Sequence, residues 1–405
     1  MQIENHIYNM HSLLSRQLES TVLQYLGVFP AVAVLGPRQC GKSTLVKMLS
    51  ASIKPLVYLD LQDYEDLNKL SEPNLFFEAN SEAVICLDEI QLVPHLFSVL
   101  RSAIDKNRRN GRFILLGSAS QELIQKSSES LAGRIGLTEL SPFLLNEVNT
   151  EPGYSLQRYW LRGGFPESYL GLTDTDSMLW LENFIRTYIE RDIPQLGFPI
   201  PALLLRRLLL MCAHSQGQLL NASKLGESLG ITHPTVRRYI DLLQQTYILR
   251  TLQPYEANVK KRLVKSPKVY IRDSGILNRL LLIPDFNSLM GNPVFGSSWE
   301  GLVIENSIEN MPDWTPYFYR TATGSEIDLV LVRGNQKIAI ECKASAAPQL
   351  TKGNWDALSV INPDYTFVIA PITGSAYQLN HSVVVAGLEE AIKRLKQISL
   401  PDEKK

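Results

Sequence analysis

The 405-residue sequence carries 40 Lys and Arg against 41 Asp and Glu, a formal net charge of -1. That balance excludes a uniformly basic nucleic-acid coat, so any such contact must come from a local patch. A hydrophobic share of 45% is that of a globular chain with ordinary cores, and the length predicts two to three domains.

The N-terminus "MQIENHIYNMHSLL" lacks the basic segment and long apolar run of a signal peptide, and no apolar run is long enough to span a bilayer. Cys40, Cys86, Cys212 and Cys342 lie far apart without paired metal spacing, as reduced thiols of a cytoplasmic protein would. A cytoplasmic chain without membrane contact is the expectation.

From about residue 30 to 140, "AVAVL", "LVYLDL", "AVICL" and "FILLG" read as buried parallel strands alternating with helical patterns, a doubly wound α/β arrangement. Residues 150 to 285 are mostly helical, with breaks expected at Gly163-Gly164 and at Pro194. Within them, "NASKLGESLGITHPTVRRYIDLLQQTYILRTLQPY" has the rhythm of a helix-turn-helix followed by a strand. Thr232 would cap its second helix and Pro234 would sit in the first turn, with Val236, Ile240 and Leu243 inward and Arg237 and Arg238 outward. Residues 290 to about 395 read as a second α/β unit: a helix, a strand "YFYR", the hairpin "EIDLVLVRGNQKIAIECKAS", a strand "YTFVIAP" and a final amphipathic helix.

The sharpest motif is "GPRQCGKST", directly after a buried strand. Gly36, Pro37, Arg38, Gln39, Cys40, Gly41, Lys42, Ser43 and Thr44 would wrap ATP phosphates with backbone N–H groups at a helix N-terminus. Lys42 would reach the β- and γ-phosphates and Ser43 would ligate Mg2+. The strand "AVICLDEIQ" ends in two acids: Asp88 would hold Mg2+ and Glu89 would polarise the attacking water. The second acid favours hydrolysis over phosphotransfer. Ser118 in "FILLGSAS" either senses the γ-phosphate or positions the water, or merely ends a strand. Arg134, in a polar segment after the sheet, is an arginine finger for a neighbour's site or a surface residue. Cys40 either fills the loop or offers redox control.

Together, "FPAVAVLGPRQCGKSTL", "VICLDEIQLVPHLFSVLRSAID", "FILLGSAS", "ESLAGRIGLTELSPF", "GGFPESYL", "YIERDIP", "PKVYIRDSGILNRLL" and "EIDLVL…IAIECKAS" resemble the prokaryotic AAA-type ATPases that carry a DUF4143 domain. The resemblance implies an AAA-like P-loop domain (1–145), a helical and winged-helix middle (146–285) and a C-terminal α/β fold similar to PD-(D/E)XK nucleases, which are restriction-endonuclease-like (286–405).

A symmetric hairpin about Gly334-Asn335 places Asp328 opposite Glu341, two like charges about 5 Å apart. Ile327/Cys342, Leu329/Ile340 and Leu331/Ile338 would form an apolar stripe, leaving Asp328, Glu341, Glu326 and Lys343 on the other face. An acid followed by acid-x-Lys on the next strand is the PD-(D/E)XK signature. Two such carboxylates would share a second Mg2+ or Mn2+, with Lys343 orienting a water. By position, Glu300 in "SSWEGLVIEN" matches the acid that completes such sites in the family, with Glu305 as alternative. Otherwise Glu326 and Lys343 form an ion pair, and Asp328 and Glu341 are solvated at a sheet edge.

The segment 258–268 carries Lys260, Lys261, Arg262, Lys265 and Lys268 without an acid. With Arg237 and Arg238 it would make a DNA-contacting patch, or a solvated wing on a helix-turn-helix that packs against protein. Two functions follow: an ATP-driven DNA-processing enzyme, or a nucleotide-gated switch whose nuclease-like end does not cut. A homo-oligomer is compatible with either.

Overall fold

The four apolar runs form the strands β1 (Ala31–Gly36), β2 (Leu56–Asp60), β3 (Val84–Asp88) and β4 (Phe113–Ser118) of one parallel sheet. The structure, a computed structural model, describes residues 14–53, 55–118, 131–195, 200–256 and 264–399. They divide into one unit ending at Phe143 and another beginning at Leu144. With a fifth strand, β5 (Ile135–Glu139), the strand order in the first is β2-β3-β4-β1-β5.

Because strand side chains alternate, both faces of this sheet need cover. Ala33, Leu35, Ile85, Leu87, Phe113 and Leu115 pack with Phe77, Leu96, Leu100 and Ile104. Val32, Val34, Cys86, Ile114 and Leu116 pack with Val22 and Leu26 of helix α1 (Leu18–Val28) and with Leu45, Val46 and Leu49 of α2 (Lys42–Leu49). Helices thus lie on both faces, and the apolar ends of α2 and β3 bring their polar ends to one rim.

The fifth strand, β5 (Ile135–Glu139), corrects the expectation of a polar segment after the sheet: it pairs in parallel with β1. Its buried residues are Gly136 and Thr138, so no apolar run marks it. A Cβ at Gly136 would meet the rings of Tyr25 and Phe29 at 2.6 and 2.8 Å, which makes glycine necessary where α1 crosses.

In the second unit, helix α3 (Asp174–Thr187) opens on a Thr173/Asp176 capping box. It does not break at Pro194 as expected. A π-helical turn, Tyr188–Asp192, carries it into Ile193–Gln195, a widening that accommodates a residue lacking an N–H. Helices α4 (Ala222–Leu229) and α5 (His233–Gln245) form the helix-turn-helix. Thr232 Oγ1 accepts from Thr235 N at 3.4 Å, Val236, Ile240 and Leu243 are buried, and Arg237 and Arg238 are exposed.

A nine-stranded sheet runs through this unit in the order β13-β14-β12-β11-β10-β9-β7-β8-β6. Its strands are β6 (Gln218–Leu219), β7 (Leu249–Pro254), β8 (Lys268–Ile271), β9 (Thr315–Arg320), β10 (Glu326–Arg333), β11 (Gln336–Cys342), β12 (Tyr365–Ile369), β13 (Tyr377–Asn380) and β14 (Val383–Ala386). The pairing of β7 with β9 carries the sheet across residues 285–286. Helices α6 (Phe295–Glu309) and α7 (Lys352–Ile361) pack on its central strands. Among the described residues, no helix is long and apolar enough to cross a membrane.

Candidate functional site

The loop between β1 and α2 is shaped by backbone conformations few residues accept. Gln39 and Gly41 have φ of 60° and 100°, and a Cβ at Gly36 would lie 2.2 Å from Leu140 O. The buried Arg16 guanidinium donates to Cys40 O at 2.9 Å and to Ser141 O at 2.6 Å, bracing the loop from behind. Sequence reasoning missed Arg16, which lies outside the motif. Within the loop, Lys42 Nζ donates to Gly36 O at 3.0 Å and Pro37 O at 2.8 Å, curling the ammonium over the cradle. Pro37 is buried, Arg38 partly so, and the side chains of Gln39 and Thr44 face solvent. The Cys40 thiol is buried, and burial pushes its pKa up despite Lys42 and Arg16, the opposite of a reactive thiolate.

Ser43 Oγ donates to Asp88 Oδ2 at 2.6 Å, bringing together the two residues expected to hold Mg2+. Tyr58, unforeseen, also donates to Asp88 Oδ2 from the neighbouring β2. Two hard oxygen ligands side by side at a phosphate cradle fit Mg2+, which keeps several waters and takes the rest from phosphate. Glu89 sits just past β3 with φ 54°, a conformation costly for a side chain of its size, and its N–H donates to Asp88 Oδ1 at 2.9 Å. Gln91 Nε2 donates both to Glu89 Oε2 and, at 3.1 Å, to Ser118 Oγ. Ser118 stands beside Gly36 in the ladder, so Gln91 links the strand end at the cradle to Glu89. Arg134 is exposed only in part and donates to Asp105 from Nε at 2.7 Å and Nη2 at 3.1 Å.

The hairpin acids meet in an unexpected way. The β10–β11 ladder has the expected register from Arg333/Gln336 to Leu329/Ile340 but stops one pair short of Asp328/Glu341. Between Ile327 and Val330 the register with β9 shifts by one residue, a bulge. Ile327 therefore packs with Val330 and Ala339 against Ala357, Leu358 and Ile361, which removes it from the expected apolar stripe. The bulge re-aims Asp328, whose Oδ2 accepts from Cys342 N at 2.9 Å. Both strands are central in the sheet and both acids are buried, so solvated edge acids are excluded.

Lys268 is at the centre of this cluster, with 2% of its side chain exposed. Its Nζ lies 2.8 Å from Glu300 Oε1, 2.7 Å from Glu326 Oε1 and 3.4 Å from Asp328 Oδ1. Burial would lower its pKa, but Glu300, Asp328 and Glu326 hold it well above the lysine range. Tyr270 donates to Glu300 Oε1 at 2.5 Å. Burial, reinforced by Asp328, pushes Glu300 up to about 7 and Glu341 up to about 8. Glu341 Oε1 accepts from Lys343 at 2.7 Å and Asn354 Nδ2 at 2.9 Å. Glu326 takes Lys268 and, at 3.4 Å, Arg320 instead of the expected Lys343. A second Mg2+ or Mn2+ on Asp328 and Glu341 does not fit: an ammonium already contacts Asp328. Among the described residues, no group of three His, Cys, Asp or Glu is arranged to hold a metal.

Glu305, the alternative acid, belongs to a partly buried quartet instead. Arg250 donates to both its oxygens at 2.7 and 2.9 Å, Arg272 donates to Oε1, and both arginines reach Glu309 Oε1 at 2.8 Å. Lys268 likewise leaves the expected basic patch, because its charge is spent inside the unit. Lys265 is exposed, while Lys260, Lys261 and Arg262 lie outside the described residues.

Residues 28–149 match the family model of an AAA domain, 153–287 that of a domain of unknown function, DUF8612, and 295–389 that of another, DUF4143. The uncharacterized protein Rv2008c of Mycobacterium tuberculosis is 40% identical over 329 residues, 81% of this chain and 74% of that one. An uncharacterized protein of Haemophilus influenzae is 22% identical over 234 residues, 54% of this chain and 56% of that one. Among solved structures, the Walker-type ATPase paby2304 of Pyrococcus abyssi has 18% identity and a TM-score of 0.47, covering 66% of this chain and 96% of that one.

Proposed function

Because the chain belongs to the AAA-domain proteins that carry a DUF4143 domain, we propose that its first unit binds ATP with Mg2+ and hydrolyses it. The single observation that carries this is Lys42 curled over the phosphate cradle while Ser43 meets Asp88 at its rim. Lys42 exchanges the carbonyls of Gly36 and Pro37 for the β- and γ-phosphates. Ser43 and Asp88 hold Mg2+, which supplies positive charge against the phosphate oxygens. Glu89 accepts a hydrogen bond from the attacking water, and Gln91 keeps its carboxylate in place. Phosphate release by wild type, Lys42→Ala and Glu89→Gln tests the assignment. Lys42→Ala should abolish binding and turnover, and Glu89→Gln should bind ATP yet release phosphate at least about 100-fold more slowly. Normal turnover by either variant would refute it.

The division at 145/146 and 285/286 belongs to the same proposal, supported by family matches that end at 149 and 287, with the second boundary one of sequence families that a single sheet crosses. A winged-helix reading of the middle segment rests on α4, α5 and the antiparallel β7–β8 pair. DNA contact by this segment is supported by exposed Arg237, Arg238 and Lys265. Fluorescence anisotropy on duplex DNA should then show binding that weakens steeply with salt, and less of it in Arg237→Ala/Arg238→Ala. Lys268 among the carboxylates favours a nucleotide-gated switch with a non-cutting end over a nuclease.

A further inference from the structure

We propose that Lys268 is a built-in cation: its ammonium joins Glu300, Glu326 and Asp328 where a divalent ion would otherwise be needed, and so keeps the cluster metal-free. This stands apart from the ATPase proposal, since it concerns the second unit alone and its test uses no nucleotide.

The geometry carries the assignment. Three acids from three places in the sequence, helix α6 and the start and bulge of β10, converge on one nitrogen within 3.4 Å. Of the three donors an ammonium offers, Glu300 Oε1 and Asp328 Oδ1 each accept one, and Glu326 Oε1 lies against the same nitrogen as an ion pair at 2.7 Å. Left alone, those carboxylates would be costly to bury together, so something positive must sit among them. In a metal site that something is the ion. Here it is the end of a lysine on β8, which the chain delivers by pairing β8 with β7 and β7 with β9.

The remaining charges are matched locally except at Glu341 Oε2, which is buried without a partner among the described residues. Arg320 approaches Glu326, and Lys343 is 2.7 Å from Glu341. The residue expected to orient a water is therefore turned onto its own neighbour. Cys342 N takes one oxygen of Asp328 and Lys268 the other. A divalent ion arriving at Asp328 would have to displace a nearly inaccessible ammonium and leave it buried beside a second positive charge. The unit keeps the acids of a metal-dependent site and supplies their counter-charge from its own chain.

The test is Mn2+ binding by the full chain without nucleotide, read by electron paramagnetic resonance, together with thermal unfolding in EDTA and in millimolar Mn2+. Wild type and Asp328→Asn should bind Mn2+ equally, and Mn2+ should shift their melting temperatures by the same amount, since any such shift arises at Ser43 and Asp88. Lys268→Met should melt lower in EDTA and recover by about 5 °C or more beyond that shift in Mn2+, and the extra recovery should vanish in Lys268→Met/Asp328→Asn. A wild-type Mn2+ site lost in Asp328→Asn would overturn the proposal. So would a folded Lys268→Met protein that gains no Mn2+ binding. Should Lys268→Met not fold, the comparison of wild type with Asp328→Asn decides alone.

Discussion

The Gln91 amide donates through one nitrogen to Ser118 Oγ at 3.1 Å and to the Glu89 carboxylate. Two acceptors on that nitrogen fix the side chain's orientation, and its Oε1 is buried without a partner among the described residues. A residue that aims the general base, without binding phosphate, should affect turnover alone. Gln91→Leu should lower kcat for ATP by about 10- to 100-fold with KM changed little. Steady-state kinetics check it: a raised KM at unchanged kcat would mean that Gln91 binds substrate instead.

Asp88 accepts from Ser43, Tyr58 and the Glu89 N–H, so its charge is already well solvated before any metal arrives. Asp88→Asn should therefore fold normally. Its affinity for ATP in EDTA should stay within about threefold of wild type, while Mg2+ should no longer raise hydrolysis by about 100-fold. Titration of a fluorescent ATP analogue with and without Mg2+ distinguishes this from simple loss of the nucleotide site.

Glu305 titrates far from its ordinary position. Burial would raise its pKa, but Arg250 and Arg272 outweigh burial and lower it from 4.5 to about 2. A depressed carboxylate contributes stability above its unfolded pKa, and that contribution is lost as pH falls through the folded value. The window here is from about 4.5 down to about 2, and the linkage is worth on the order of 3 kcal/mol. Glu305→Gln should be markedly less stable than wild type at pH 7, with the gap narrowing between pH 5 and pH 3. Urea midpoints at those values measure it, and a gap independent of pH would contradict the ion pairing.

Gly163 ends a helix with φ 73°, and a Cβ there would lie 2.2 Å from Asp273 Oδ1. That carboxylate is committed: it accepts from Gly164 N at 2.8 Å and Ile276 N at 2.9 Å. Backbone strain and crowding therefore act together. Gly163→Ala should destabilise the chain by about 3 kcal/mol or more, read as a lower urea midpoint. A neutral substitution would show that the turn can open.

Much of the parallel sheet was legible because β1, β3 and β4 are apolar on both faces, a pattern no exposed strand tolerates. The β10–β11 hairpin was legible in register as far as Leu329/Ile340 but not in the fate of its acids. Nothing local in "EIDLVL" signals a bulge, since the irregularity lies in its pairing with β9 on the side away from the hairpin partner. Lys268 was misjudged for a related reason. In a run of basic residues a lysine looks solvated, and only the pairing of β8 with β7 turns it inward toward acids far along the chain. The phosphate cradle was easy to find because its glycines, lysine and serine are contiguous. Arg16, Tyr58 and Gln91 were not, since each reaches the site from a position that has no fixed spacing from the motif.

The parallel contact of β7 with β9 makes the helix-turn-helix and the acid-bearing hairpin neighbours in one hydrogen-bonded fabric. A truncation at residues 285–286 would strip Lys268 of Glu300, Glu326 and Asp328 and part Arg250 and Arg272 from Glu305 and Glu309. Neither fragment could be neutral inside on its own. A protease nick there should leave the halves clasped, and a tug on one should be felt by the other.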